Sequence, residues 1–278
     1  MIRSPLRHLM SSLPVLAALA GCRATPGAPA AAPQLGQWIW TRGDVDRFAE
    51  SAGVRPGLEA GIYIGSVGCD ARTMRLVPRA GLAATATHTA DVTVVIRFED
   101  GLDQCRTPAD GAHRFDLALD SAVQVLRARA GGATVRAVQL DHDVPQRALA
   151  AWARSVSYLH AHALAADDVW VTSLIAHLRE PTYGDLFRDV VAGHVLQVFD
   201  TGEPATARQV DEAVALAQRA RMPFRLGLGA FERRTRRGLT DHRAWFATVP
   251  QFAALEGYRG VWVFPAGQRW ITFVGEIG

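Results

Sequence analysis

Eight apolar runs of strand length recur along this chain with amphipathic stretches between them, and no other feature of the sequence restricts the fold as much. The runs are WIWT (38–41), GIYIG (61–65), VTVVIRF (92–98), VRAVQLD (135–141), VWVTSLI (169–175), HVLQVFD (194–200), FRLGLGAF (224–231) and GVWVFPA (260–266). Most are β-branched or aromatic and nearly continuous in apolarity, the composition of parallel strands covered on both faces. Among the intervening stretches, FDLALDSAVQVLRARA (115–130) sets Phe115, Leu119, Ala122, Val123 and Leu126 at helical spacing, with Asp116, Asp120, Gln124 and Arg127 on the opposite face. RALAAWARSVSYLHAHAL, ARQVDEAVALAQRARM and RAWFATVPQFAALEGY read the same way, the last broken near Pro250. Strand then helix, repeated every 30 residues or so, predicts a single (β/α)8 barrel. An open doubly wound sheet is the competitor, but no Gly-rich phosphate-binding turn follows the first run. The closing RWITFVGEIG is either a final strand or a short cover over one barrel mouth.

The ends of the chain read as an address and a tether. Arg3 and Arg7 precede LPVLAALAGC, an apolar segment too short to span a bilayer permanently, so residues 1–21 read as a signal peptide. Leu19-Ala20-Gly21-Cys22 resembles the bacterial lipobox, which implies cleavage before Cys22 and lipidation of that cysteine. A non-lipidated signal peptide with a chance cysteine is the alternative. Arg23 follows the cysteine, which by resemblance to enterobacterial sorting rules implies the periplasmic face of the outer membrane. Residues 22–36 are rich in Ala and Pro and nearly free of large apolar side chains, so they are expected to form a flexible tether, with the barrel over 37–278. The formal charge of +3 falls to +1 when the two signal-peptide arginines are removed, and nothing in that balance suggests nucleic acid. Cys69 and Cys105 remain in the body. In an oxidising envelope they are a disulfide candidate, or else two separate buried thiols. In a barrel they would follow neighbouring strands at the same mouth.

Barrel chemistry collects at the C-terminal ends of the strands. The first run ends Trp40-Thr41-Arg42, the third Arg97-Phe98-Glu99-Asp100, and the fourth carries Gln139, Asp141 and Asp143 on one face of a strand of period two. The sixth supplies Gln197, Phe199 and Asp200, and the seventh leads to Glu232 and then RRTRR (233–237). Two carboxylates on one strand face cannot both ionise cheaply in a low dielectric, so one of Asp141 and Asp143 is expected to hold its proton toward neutrality. An acid beside a base or nucleophile is what glycoside hydrolysis needs. Asp143 also suits an N-cap for the helix that follows. His142 should face the helix layer. Trp40 is either core or a sugar-stacking platform. Arg42 and Arg97 either bind an anionic substrate or neutralise nearby carboxylates, and RRTRR is a solvated loop unless it folds over the mouth. The histidines are scattered, so no metal site and no cofactor is expected.

The lipobox, the WIW start, the strand ending LDHD and the later LQVFD together resemble an uncharacterised bacterial lipoprotein family, domain of unknown function 3142, over most of the mature chain. More distantly, the fourth and sixth strand ends resemble the chitinase-like family 18 glycoside hydrolases. That family carries alternating acids ending in a catalytic Glu on strand four, and a Met-x-Tyr-Asp ending on strand six that holds the substrate's N-acetyl group. The resemblance implies that Asp141 stands at the last supporting Asp, Asp143 at the catalytic Glu and Asp200 at the strand-six Asp. The chain departs from that pattern in having Asp for Glu, Gln139 for an acid and Phe199 for the Tyr. The resulting expectation is a lipid-anchored envelope barrel that hydrolyses a polysaccharide. Asp143 would be its general acid, Asp141 the electrostatic partner of that acid, and Asp200 or Glu232 the group orienting substrate or water. Trp40, Arg42, Arg97, Gln139, Gln197 and Phe199 would line the binding site. A non-catalytic barrel binding glycan or a protein during envelope assembly is the alternative.

Overall fold

All eight runs form strands, and the sheet they build closes on itself. The computed structural model describes residues 34–87, 89, 91–106, 111–199, 205–235, 238–266 and 270. The strands in chain order are β1 (Gln34–Ile39), β2 (Glu59–Asp70), β3 (Arg75–Ala80), β4 (Asp91–Phe98), β5 (Thr134–Asp141) and β6 (Asp168–Leu174), then β7 (Gly193–Gln197), β8 (Phe224–Gly229), β9 (Glu232–Thr235), β10 (Gly238–Asp241) and β11 (Tyr258–Phe264). Eight of these, β1, β2, β4 to β8 and β11, run parallel in the order β1-β2-β4-β5-β6-β7-β8-β11. β1 then pairs with β11, Gln34 to Gln37 against Gly260 to Val263, which completes a (β/α)8 barrel. The helices α1 (Arg42–Val54), α2 (Gly111–Ala128), α3 (Leu149–Ala161), α4 (Ile175–Leu178), α5 (Tyr183–Phe187), α6 (Ala207–Ala220) and α7 (Val249–Ala253) complete the connections. Pro250 falls in the first turn of α7, where its missing N–H costs no hydrogen bond, and a 3-10 segment His242–Thr248 leads into it.

The structure departs from the simplest alternation at three places. β1 begins at Gln34, inside the stretch read as tether, and ends before Trp40. Backbone pairing with two neighbours fixes Gln34 to Gly36 as strand although Leu35 is the one large apolar side chain among them. After β2 comes β3 rather than a helix, antiparallel to β2 from Gly65 to Asp70; its mostly half-exposed side chains and Pro78 hide it in the sequence. After β8 comes the hairpin β9–β10, which carries the first part of RRTRR; Arg236 and Arg237 lie outside the described residues. Of the closing segment only Trp270 is described. It is buried, and its indole N–H donates to Gln37 Oε1 at 2.7 Å.

Period-two alternation divides the buried residues into two cores. Outward positions such as Ile62, Ile96, Leu140, Leu196 and Leu228 pack under the helices. Inward positions form a separate interior of Trp38, Val95, Ala137, Trp170, Val195, Phe199, Phe231 and Trp262. Near the N-terminal strand ends, buried Arg225 closes the barrel. Its Nη2 donates to Gln34 Oε1 at 2.7 Å and lies 4.0 Å from Glu59, while the guanidinium stands 4.0 Å from the Trp170 ring and 5.1 Å from Trp262. Higher up, the Trp262 indole lies across Gly61, where an added β-carbon would overlap Cζ3 of that ring and fall 3.0 Å from Trp38 Cδ1. Gly61→Ala should therefore destabilise the barrel by about 1–3 kcal/mol or more, since neither indole can move in a filled interior. Gly53→Ala, on the exposed face of α1 with nothing within 4 Å of the new carbon, should gain up to about 1 kcal/mol. Urea unfolding of both variants checks the pair, and equal midpoints would contradict the packing argument.

Candidate functional site

The C-terminal strand ends surround a cleft of about 530 Å³ lined by Trp38, Trp40, Arg97, Gln139, Asp141, Asp143, Leu174, Gln197, Phe199, Arg233 and Phe264. Apart from Arg233, which comes from the β9–β10 hairpin, each lining side chain is an inward position near or just beyond a strand end. β4 delivers Arg97, β5 delivers Gln139 and Asp141, and β7 and the residues after it deliver Gln197 and Phe199. Trp40 follows β1 in a turn fixed by Asp44. One oxygen of that carboxylate accepts the Trp40 N–H at 3.1 Å, the Thr41 N–H at 2.9 Å and the Thr41 hydroxyl at 2.9 Å. Tyr63 stacks on the Trp40 ring at 4.7 Å, and the Arg97 guanidinium stands over it at 5.6 Å. Phe199 and Phe264 stack at 5.7 Å and form an apolar wall.

A directional chain of hydrogen bonds rises through the barrel to Asp141. The Trp38 indole N–H, which can only donate, reaches Gln139 Oε1 at 2.9 Å, and this fixes the orientation of the Gln139 amide. Gln139 Nε2 then donates to Thr172 Oγ1 at 3.0 Å, and the Thr172 hydroxyl donates to Asp141 Oδ1 at 2.8 Å. The other carboxylate oxygen faces Arg97 Nη1 at 3.6 Å, while Arg97 Nη2 lies 3.7 Å from Asp143 Oδ2. One guanidinium thus bridges the two carboxylates. The Asp141 side chain is 4% exposed and that of Asp143 39%. Burial, then the neighbouring Asp143 charge, pushes the Asp141 carboxyl up to about 6, although Arg97 and the Thr172 hydroxyl oppose the rise.

Asp141, Asp143, Arg97, Trp40, Gln139, Gln197 and Phe199 therefore meet in one cleft, and four expectations need correction. Gln139 is buried, with both ends of its amide engaged inside the barrel, so it is a link in the chain rather than a substrate contact. Arg42 opens α1 and faces a separate surface depression with Asp46 and Arg129, because β1 ends at Ile39 and the Asp44 turn carries the backbone away from the mouth. Glu232 opens β9 and pairs with Arg243, which also binds Asp241 at 2.7 Å; it does not line the cleft. Asp143 is not a helix cap, since the 3-10 turn Gln146–Ala148 is preceded by Pro145 without a side-chain cap. Asp200 lies outside the described residues, as does Cys22.

His142 turns to the helix layer, where it packs on Trp152 at 4.9 Å and on Phe98 at 6.0 Å; burial lowers its pKa. Cys69 at the end of β2 and Cys105 after β4 are joined by a disulfide with Cα atoms 5.7 Å apart. Thr172, Phe264 and Leu174 complete the site unannounced, and Arg233 brings the first residue of RRTRR to the mouth. Of these, Thr172 had a sequence signal, a hydroxyl at an inward position of a mostly apolar run. Among the described residues, no group of three or more His, Cys, Asp or Glu side chains is placed to hold a metal ion.

No family model matches the chain, so membership of the lipoprotein family named above gains no support, and no curated protein sequence matches it either. Solved structures do. The Bacillus cereus spore cortex-lytic enzyme SleL is 13% identical with a TM-score of 0.58, over 88% of this chain and 74% of that one. The Bacillus megaterium QM B1551 SleL is 10% identical with a TM-score of 0.59, over 88% and 74%. The GH18 chitinase ChiB of Flavobacterium johnsoniae is 9% identical with a TM-score of 0.59, over 88% and 92%. At these identities the likeness is one of fold alone, that of a (β/α)8 barrel.

The Asp141 carboxyl titrates higher in the folded protein, near 6, than in an unfolded chain, near 4, so its ionisation opposes folding. The opposition is absent below about pH 4 and complete above about pH 6. A pKa difference of that size between the two states is worth about 3 kcal/mol. Asp141→Asn, which can still accept the Thr172 hydroxyl, should raise stability by on the order of 2–3 kcal/mol at pH 7.5 and leave it nearly unchanged at pH 4. Denaturant titrations at the two pH values measure this, and a variant less stable than the parent at pH 7.5 would refute it.

Proposed function

We propose that this protein is a glycoside hydrolase of the cell envelope, acting on an envelope or extracellular polysaccharide through the carboxylate pair Asp141 and Asp143. The observation that carries the reading is the pair itself, one carboxyl accessible in a cleft and one buried behind it, both facing the Arg97 guanidinium. Asp143 has the exposure to reach a glycosidic oxygen and serves as general acid in the state where the coupled pair holds one proton. Asp141, ionised when that proton sits on Asp143, supplies the negative charge that stabilises an oxocarbenium-like transition state. Thr172, Gln139 and Trp38 hold that carboxylate in place. Trp40, Phe199 and Phe264 provide apolar surface for sugar rings, and Gln197 a polar contact. The fold shared with SleL and a GH18 chitinase agrees with a carbohydrate ligand. Lipidation at Cys22 would hold the barrel at the periplasmic face of the outer membrane.

A second reading, a barrel that binds glycan or an assembly partner without turnover, draws on two observations. Phe199 offers no hydroxyl to a substrate, and Asp143 reaches one methylene less far than a glutamate. Turnover separates the two. Purified protein screened against envelope and extracellular polysaccharides should release reducing ends. Asp143→Asn should lower kcat by roughly 10²–10⁴-fold with KM little changed. The parent rate should fall as pH rises through about 6, where the pair loses its remaining proton, and Asp141→Asn should move that limb to lower pH by removing the second carboxylate. Binding with no release of reducing ends from any polysaccharide would leave the second reading standing in place of the first.

A further inference from the structure

Asp143 stands beyond the last residue of its strand, where the sheet no longer fixes it. β5 ends at Asp141, and His142 to Pro145 run on without regular structure before the 3-10 turn Gln146–Ala148. The Asp143 carboxylate faces Arg97 at 3.7 Å, longer than a bonded pair, so its place in the cleft is set by the main chain that carries it. An aspartate depends on that main chain more than a glutamate would. Its shorter side chain cannot make up an error in backbone position, and proton transfer requires hydrogen-bond reach.

The main chain beside Asp143 is gripped by a histidine that does not line the cleft. His177, in the short helix α4 that follows β6, is 2% exposed. Its Nδ1 lies 3.2 Å from the Leu174 main-chain nitrogen and its Nε2 2.7 Å from the Val144 carbonyl oxygen. The Leu174 N–H can only donate, so Nδ1 is the acceptor, the ring proton sits on Nε2, and Nε2 donates to Val144. Burial lowers the pKa of His177, which keeps the ring neutral and both bonds intact. Leu174 lines the cleft at the end of β6, and Val144 is the residue after Asp143. One imidazole therefore ties a wall of the cleft to the backbone that carries its accessible carboxylate.

We propose that His177 is a positioning residue for Asp143, setting through the Val144 carbonyl how that carboxylate stands relative to Asp141. The kinetic side of this rests on the hydrolase reading above, and a placement measurement does not. The Asp143 charge helps to raise the Asp141 carboxyl, so the Asp141 titration midpoint, followed by carbon-13 NMR on the full chain labelled at aspartate, reports how near Asp143 stands. Asp143→Asn gives the midpoint without that charge. His177→Phe should move the midpoint toward the same value and add no further shift when combined with Asp143→Asn. His177→Gln, whose amide can accept from Leu174 and donate to Val144, should stay near the parent. His177→Ala takes the place of His177→Phe if the larger ring cannot be packed. In turnover, His177→Phe should lower kcat by about 10–100-fold with KM little changed, the cost of displacing a reacting group by about an ångström. Val123→Ala, a buried truncation on α2, should lower the urea midpoint and leave kcat as it was. A parental Asp141 midpoint in the His177 variant overturns the inference. So does a shift that persists in full beside Asp143→Asn, because the histidine would then act on Asp141 directly, and so does an unchanged kcat. The expected shifts with no polysaccharide cleaved by the parent would remove the hydrolase reading and leave the placement of Asp143 standing.

Discussion

The fold depends on the double pairing of β1. Gln34 to Gln37 bond to Gly260 to Val263 on one side, and Gly36 to Ile39 bond to Glu59 to Ile62 on the other, so six residues turn an open twisted sheet into a barrel. Without them two strand edges would face solvent, and the inward aromatic residues would have no enclosed space to fill. Closure also sets the phase of each strand. Once Trp38 points to the axis, Trp40 must stand at the mouth two residues later, and the same alternation takes Gln139 to Asp141, Thr172 to Leu174 and Gln197 to Phe199. The cleft is thus the continuation of the barrel interior, made of the same inward rows where they run out of core.

That continuity explains how a charged carboxyl is tolerated in so dry a place. Asp141 ends the donor chain that begins at the Trp38 indole, with every hydrogen directed toward it, and Arg97 supplies the opposite charge on its other side. Burial still wins, and the carboxyl rises to about 6. A protein shaped for stability alone would place a neutral side chain there, so a carboxylate at this depth is a local cost that the proposed function would account for. The far end of the barrel shows a different solution. Arg225 is closed in by two tryptophans, with Gln34 and Glu59 as its polar neighbours, so the interior is sealed on that side. Access is one-sided.

Much of this was legible because the barrel repeats a single rule. The eight runs were apolar enough to stand out, and period two carried Asp141 and Asp143 to one face without any knowledge of neighbours. Where local pattern competed with pairing, the sequence misled. Gln34 to Gly36 look like tether because nothing in them is large and apolar except Leu35, yet two neighbouring backbones make them strand. Arg42 looks like a mouth residue only if the first strand runs on to Thr41, and the Asp44 turn stops it sooner. Glu232 looks like a strand end only if β8 continues; the hairpin that actually follows gives Glu232 to Arg243 and brings Arg233 to the cleft instead. Single insertions of this kind leave no periodic trace. Gln139 was placed on the correct face, but its role followed from Trp38 and Thr172, partners 101 and 33 residues away.

The accessible and buried carboxylates differ in depth because of their positions along the chain. Both lie along one strand and its extension, so the same pleat that aligns them also sets them at different depths, Asp143 past the end of β5 and Asp141 within it. A carboxyl at the mouth can meet a ligand but is screened by water. A carboxyl one pleat deeper feels its neighbours in a lower dielectric and cannot easily be reached. A single arginine facing both ties their charges together, so whatever engages Arg97 at the surface also changes the field at Asp141 below. In this barrel the route from ligand to buried carboxyl is one side chain long.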